Sequence, residues 1–260
     1  MERKFIGAGL LAGLVAGIVS FTFARIFIEP QVAKAIDFEE SQSRAEEAVA
    51  HTAGHDHGEV EVFSRTIQEN VGAGVGTVVF ALAMGAFFAV AFTVLWAYVG
   101  RRWPSTDPLA VVGVLGLLGF VAAFGVPFFV YPANPPAVGA SDTIGARSGT
   151  FLTITLVSVI AMIVAVVVAL QLRDRLGGLG GAAVAGFGYL VVIAAAKALL
   201  PEFHEVPAGF PAAVVGDFRV YAIANQVVLW AVLTLVFAAT ISAIGRRTVS
   251  SAGNLVAGAR

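Results

Sequence analysis

Residues 150–172 read TFLTITLVSVIAMIVAVVVALQL, a run without a charged side chain. Residues 115–130, LGLLGFVAAFGVPFFV, are equally uncharged. A helix of about 20 apolar residues crosses the ~30 Å hydrocarbon core of a bilayer, where backbone groups must bond within the segment. Only 13% of the 260 residues are charged, and the mean hydropathy is +0.88. The sequence therefore predicts an all-α, polytopic transmembrane helical bundle.

Six candidate spans share this pattern and make residues 1–260 one integral membrane domain. They lie at about 5–28, 71–99, 109–130, 150–172, 181–200 and 220–244. The first resembles a secretory signal, but its uncharged run exceeds the usual 7–15-residue signal core, which favours a retained helix. Glycines crowd the start of the fifth span at 177, 178, 180 and 181. A count of five, with that segment re-entrant, therefore stays open.

The basic residues predict the orientation of the bundle. One side collects pairs that lie tight against helix ends: Arg3 and Lys4, Arg101 and Arg102, Arg173 and Arg175, and Arg246 and Arg247. Such clusters in short segments mark the cytoplasmic side of a membrane protein. Both termini are therefore expected in the cytoplasm, with three loops facing outward.

Composition excludes several classes of function. The net charge is −1 and no basic run suggests a nucleic-acid partner. Cysteine is absent, so a metal site must use imidazole and carboxylate ligands. The sequence contains no serine–histidine–acid set and no zinc-protease helix motif, and we expect neither an enzyme, nor catalytic residues, nor a bound cofactor.

Small residues recur every four positions in the first span, at Gly9, Gly13 and Gly17. This spacing lets another helix backbone approach closely. The strip fits packing inside the bundle, or alternatively a seam for a partner subunit. Arg25 and Lys197 lie near outer helix ends, where long side chains reach headgroups, and Asn225 and Gln226 are placed to bond between helices.

An outward-facing hydrophilic loop is expected at 29–70. It begins with acidic and alanine-rich sequence suited to a short surface helix up to Ala50, and then carries three of the four histidines. Imidazole binds divalent transition metals and carboxylate adds a hard oxygen. The candidate ligands are His51, His55, Asp56, His57 and Glu59. An acidic loop with incidental histidines is the alternative, because histidine-rich tracts are only compositional indicators of metal binding.

Two further loops are expected on the same side. One carries His204 as a candidate metal ligand between Glu202 and Glu205. The other, YPANPPAVG at 131–139, holds three prolines that restrict φ and favour an extended, stiff segment. This segment fits either a pore lip or a structural connector. Asp142 and Arg147 follow it as a pair able to pin the loop.

At this loop the chain resembles the CbtA family. The resemblance rests on 131–139 with Thr143, Ile144 and Arg147, and extends to Ser64-Arg65, Gln68, Gly72, Pro201, Phe210-Pro211 and Phe218-Arg219. It implies a subunit of a cobalt transporter in the bacterial cytoplasmic membrane, with a small single-helix partner, CbtB, that has its own histidines. Family members often carry a lysine before the tyrosine, where Val130 stands in this chain, and are commonly described with five spans.

The sequence thus favours a permease subunit that takes up a divalent transition metal, with cobalt as the best candidate. The alternative is a non-transporting membrane metal sensor or scaffold. Outside the histidine tract, the candidate pore and loop residues are Tyr131, Asn134, Pro135, Pro136, Asp142, Arg147, Glu202, Glu205, Asp217 and Asn225.

Overall fold

The structure is a computed structural model that describes residues 2–50, 71–136, 138–139, 141–203, 206–207 and 209–257. The candidate ligands at 51–59, His204 and Glu205 lie outside this part of the chain. Apart from short turns and loops, the described residues are helical and contain no strand. The helices are α1 (Glu2–Phe23), α2 (Glu29–Ala50), α3 (Ala73–Arg102), α4 (Pro108–Phe120), α5 (Val126–Val130), α6 (Ile144–Leu199) and α7 (Ala212–Ala257).

Two π-helical segments join neighbouring helices without breaking them. Ala24–Ile28 links α1 to α2, and Val121–Gly125 links α4 to α5. The hydrophilic stretch that starts at residue 29 therefore begins as a helix and continues the first span to Ala50, where the sequence predicts the surface helix to end.

Five helical segments of the described chain are long and apolar enough to cross a membrane: Arg3–Arg44, Ala73–Arg102, Pro108–Val130, Ile144–Leu199 and Ala212–Arg246. The fourth is two helices joined at Gly177, whose φ of 73° and ψ of 169° are not helical. Positive φ is strained for residues other than glycine. The break falls inside the glycine cluster that precedes the fifth predicted span.

The two arms of α6 fold back on each other as a hairpin. Ser158 Oγ and Tyr189 OH are hydrogen-bonded at 2.8 Å, although 31 residues of unbroken helix would separate them by about 46 Å. A Cβ at Gly181 would lie only 2.9 Å from the Ala169 carbonyl oxygen, so the arms are in close contact beside the turn. Each arm is long enough to cross a ~30 Å core, so the described residues contain six membrane-length segments.

The described helices form two compact units. The first comprises residues 2–26, 71–117 and 224–257, and the second comprises residues 27–50 and the described parts of 118–223. In the first unit the glycine strip of α1 packs on α3: Gly9 contacts the Gly85 carbonyl and Gly13 the Ala81 carbonyl. The strip is therefore used within the chain, which answers the choice between internal packing and a partner seam.

Aromatic and polar contacts complete the first unit. The ring of Phe237 packs edge-on against Phe88 and Phe92, with centroids 5.1 and 5.2 Å away. Ser20, which is fully buried, donates a hydrogen bond of 2.9 Å to Asn225 Oδ1. The predicted helix-to-helix bond of Asn225 is thereby confirmed.

Candidate functional site

The proline-rich segment 131–139 belongs to the second unit. Tyr131 ends α5 with φ −131° and ψ 85°, because three prolines follow within five residues and cannot continue a helix. Each proline keeps its carbonyl but lacks an N–H donor. A backbone with three missing donors has more hydrogen-bond acceptors than donors, so the segment attracts donors from elsewhere in the chain.

One donor is the phenol of Tyr131. Its hydroxyl donates to the Pro201 carbonyl at 2.6 Å, and its ring lies 6.0 Å from that of Phe203. Removal from water raises the pKa of Tyr131 above its usual value, and the negative charge of Glu202 raises it further. The neutral phenol that donates this bond is therefore favoured in the folded protein.

The second donor is Arg219, which lies in the first turns of α7. Its Nε donates to the Ala133 carbonyl at 3.2 Å, and its Nη2 donates to Asn134 Oδ1 at 2.7 Å. Hydrogen bonds from a charged donor are shorter and about twice as strong as neutral ones. The half-buried guanidinium therefore fixes both the backbone and the side chain at the start of the loop.

The third donor is Arg147, near the start of α6. Its Nη1 donates to the Val138 carbonyl at 3.4 Å, and its guanidinium lies against Gly139. Gly139 has a φ of 118°, and a side chain there would meet both backbone strain and the guanidinium. Arg147 therefore binds the loop through the Val138 carbonyl, whereas the expected pairing of Asp142 with Arg147 stays a prediction. Asp142 is exposed in the short turn Ser141–Thr143.

A small apolar cluster joins this loop to α2 and α7. Ala35 is fully buried, and the Phe38 ring lies 4.9 Å from that of Phe210. The cluster consists of Ala35, Phe38, Val138, Phe210, Val214 and Val215. The surface helix expected from the sequence is therefore packed down onto the proline loop.

We call this assembly the loop cap: residues 131–139, the three donors and the apolar cluster. It brings Tyr131, Asn134, Pro135 and Arg147 together, with Pro135 buried and Pro136 exposed. Glu202 and Asp217 are exposed, and Asn225 is engaged by Ser20 in the first unit. Within the described residues no group of three or more histidine, aspartate or glutamate side chains is arranged to hold a metal ion.

Sequence reasoning left Arg219 out of the candidate site. The sequence did contain an indication that Arg219 matters, because Phe218-Arg219 is among the motifs that carry the family resemblance. A loop that lacks three backbone donors also requires donors from distant residues. Neither observation identifies which of the 16 lysines and arginines supplies them.

The membrane-length helices of the described chain point to a multi-pass integral membrane protein. The chain belongs to the CbtA family, described as "Probable cobalt transporter subunit (CbtA)", whose model matches residues 2–242. That match covers nearly the whole chain and supports a role in metal transport. No curated protein and no solved structure matches the sequence.

The contact of Tyr131 yields a prediction for alkaline pH. Tyr131→Phe removes the bond to Pro201 and keeps the ring, so we expect a loss of about 1 kcal/mol of stability at neutral pH. Because folding raises the pKa of this phenol, its stabilisation is complete below the usual value of about 10 and is lost as the pH rises through the raised value.

Thermal unfolding of the wild type and of Tyr131→Phe in detergent, at neutral pH and in steps to above about pH 11, measures this contribution. The difference between their midpoints should shrink at the alkaline end. A difference that stays constant would contradict the assignment of the bond to the neutral phenol.

Proposed function

We propose that this chain is the permease subunit of an uptake system for a divalent transition metal, cobalt, in the bacterial cytoplasmic membrane. The match of residues 2–242 to the family of cobalt transporter subunits carries the proposal. The membrane-length helices supply the passage through lipid. The distribution of basic residues supports an orientation in which the loop cap and the histidine tract face outward.

The histidine tract is the proposed capture element. His51, His55 and His57, with Asp56 and Glu59, offer imidazole and carboxylate ligands within a few residues, a donor set suited to cobalt and its neighbours in the first transition row. His204, with Glu202 and Glu205 beside it, offers a further ligand in another outer loop. Ions concentrated by the tract would then pass the loop cap.

The family description calls these proteins subunits, and we propose a small single-helix protein of the CbtB type as the partner. The glycine strip of α1 is not its docking surface, because Gly9 and Gly13 already contact the backbone of α3.

Uptake of radioactive Co²⁺ into proteoliposomes tests the proposal. The chain is reconstituted alone and together with its partner, and equilibrium binding in detergent is measured in parallel. Time-dependent, saturable accumulation inside the vesicles with either preparation is expected. Binding without accumulation in both preparations would instead identify a non-transporting metal sensor.

A further inference from the structure

The loop cap contains a pair of oxygen atoms already occupied by a cation. The Ala133 carbonyl and Asn134 Oδ1 both accept hydrogen bonds from one guanidinium, at 3.2 and 2.7 Å. Asn134 directs its side-chain oxygen at the guanidinium, because its amide nitrogen is a donor and cannot accept a hydrogen bond from another donor. The acceptors that a metal ion would use at this point of the loop are therefore taken by Arg219.

The chemistry of the loop explains why a cation is held there. Pro132, Pro135 and Pro136 lack N–H groups, so the segment has more carbonyl oxygens than N–H donors. The Pro135 carbonyl accepts from the Val138 N–H, whereas the Ala133 carbonyl accepts from a side chain. Membrane pores use backbone carbonyls in this way to replace the hydration shell of a passing ion. Arginine offers five donors, no acceptor and a permanent charge, which suits it as an internal substitute for such an ion.

We propose that the Ala133 carbonyl and Asn134 Oδ1 form a divalent-cation site whose resident occupant is the guanidinium of Arg219, which an incoming ion must displace. Its use in transport rests on the proposed function, whereas its binding property does not. The site is weak by construction, because neutral oxygens bind a transition metal less tightly than imidazole does. Weak binding is what a transit site requires, because the ion must also leave.

Displacement of Arg219 would couple the entry of an ion to release of the contact between α7 and the loop. The guanidinium is carried by α7, whose first turns also contribute Val214 and Val215 to the apolar cluster. An ion that takes the two oxygens releases the link between α7 and the loop. The exposed carboxylate of Glu202 is close enough to influence Tyr131 and provides a negative charge near the loop.

The test measures binding of ⁵⁷Co²⁺ to the purified full-length chain in detergent by equilibrium dialysis. All variants carry His51→Ala, His55→Ala and His57→Ala so that the tract does not contribute. Arg219→Gln removes the competing charge and should strengthen binding about tenfold or more, because like charges a few ångströms apart repel strongly at the surface of a protein. Arg219→Lys keeps the charge, and its Co²⁺ binding should equal that of the triple histidine variant alone.

Two controls separate this site from general electrostatics. Arg101 also donates to a backbone carbonyl, that of Ala97, at 2.6 Å, but it belongs to the first unit and does not contribute to the loop cap. Arg101→Gln should therefore bind no more Co²⁺ than the triple histidine variant alone. Adding Asn134→Ala to Arg219→Gln should abolish the gain. Equal binding by Arg219→Gln and Arg219→Lys, or a gain that survives Asn134→Ala, would overturn the inference.

A second variant covers the case in which Arg219→Gln does not fold. Asn134→Asp leaves Arg219 in place and gives it a full negative charge as partner, which should tighten the occupied state. The thermal midpoint should rise and Co²⁺ uptake into proteoliposomes should slow, whereas unchanged uptake with a raised midpoint would refute displacement. If the wild type takes up no Co²⁺, the proposed function fails while the binding result still decides the site.

Discussion

Substitution of Gly13 by leucine is expected to disturb the packing of α1 on α3 and to lower the thermal stability of the protein. Gly13 is buried, and any side chain there would overlap the carbonyl group of Ala81. Backbone cannot rotate away as a side chain does, so the two helices must separate. The neighbouring contact of Gly9 with Gly85 would be lost at the same time.

The expected size follows from packing energetics. Overfilling a well-packed core costs about 1–3 kcal/mol, and a clash with backbone belongs at or above the upper end of that range. Whole domains are stable by only about 5–15 kcal/mol. A fall in the thermal midpoint of roughly 10 °C or more is therefore expected for a chain of this size.

Size-exclusion chromatography of the detergent-solubilised protein after heating in steps gives the midpoint. Gly76→Leu is the matched control, because this glycine of α3 is exposed and a Cβ there would meet nothing within 4 Å. Gly13→Ala should give an intermediate loss. Equal midpoints for Gly13→Leu and Gly76→Leu would show that the strip does not hold the two helices together.

The spans could be predicted because a charge-free run is itself the physical requirement for crossing lipid. The ends of the helices were harder to predict, because hydropathy indicates where a helix is apolar and not where it begins or ends. The last span was expected from about residue 220, yet α7 begins at Ala212, directly after Pro211. Its first turns hold Asp217 and Arg219, whose charges lower the local hydropathy.

The glycine cluster at 177–181 left the span count open because glycine disfavours the interior of a helix and also permits tight turns. The structure places a single positive φ at Gly177, and the bond between Ser158 and Tyr189 shows that the arms are antiparallel. Neither the turn at Gly177 nor the antiparallel packing can be read from the local sequence pattern. The first depends on one backbone angle, and the second on which face of each arm meets the other.

Most residues of the loop cap could be predicted from the sequence, but the hydrogen bonds between them could not. Three prolines in 131–139 indicate a stiff segment with missing donors, and Tyr131, Asn134 and Arg147 were all expected to act there. The donor to Asn134 lies 85 residues away in α7, a separation that local sequence does not report. Asn225 was expected as a helix-to-helix hydrogen-bonding residue, and its oxygen accepts a bond from Ser20. Its expected place among the pore residues stays a prediction.

Replacement of His51, His55 and His57 by alanine is expected to impair cobalt uptake at low concentration and to spare it at saturation. The three histidines, with Asp56 and Glu59, lie outside the described part of the chain, so the prediction rests on sequence chemistry alone. A capture element raises the local concentration of ions without taking part in the later steps. Its loss should therefore raise the half-saturating concentration and leave the maximal rate unchanged.

An increase of about tenfold or more is expected, because the loss of even a residue that only orients a metal ligand commonly costs 10–100-fold in affinity. Initial rates of ⁵⁷Co²⁺ uptake across a wide range of concentrations measure it. Glu46→Gln with Glu47→Gln is the matched control, since it removes nearby negative charge in α2 and keeps every imidazole. Acidification should reproduce the histidine variant in the wild type, because a protonated imidazole has no lone pair for a metal.

The same uptake curves distinguish a tract that captures ions from a tract that lines the passage. If the histidines line the passage itself, the maximal rate falls and excess cobalt does not restore it. If the tract is incidental, the triple variant and the Glu46–Glu47 variant give the same curve, and capture must be assigned to another outer segment. Only a raised half-saturating concentration with an intact maximal rate supports capture, because that pattern requires the ion to reach the loop cap by the same route once it is abundant.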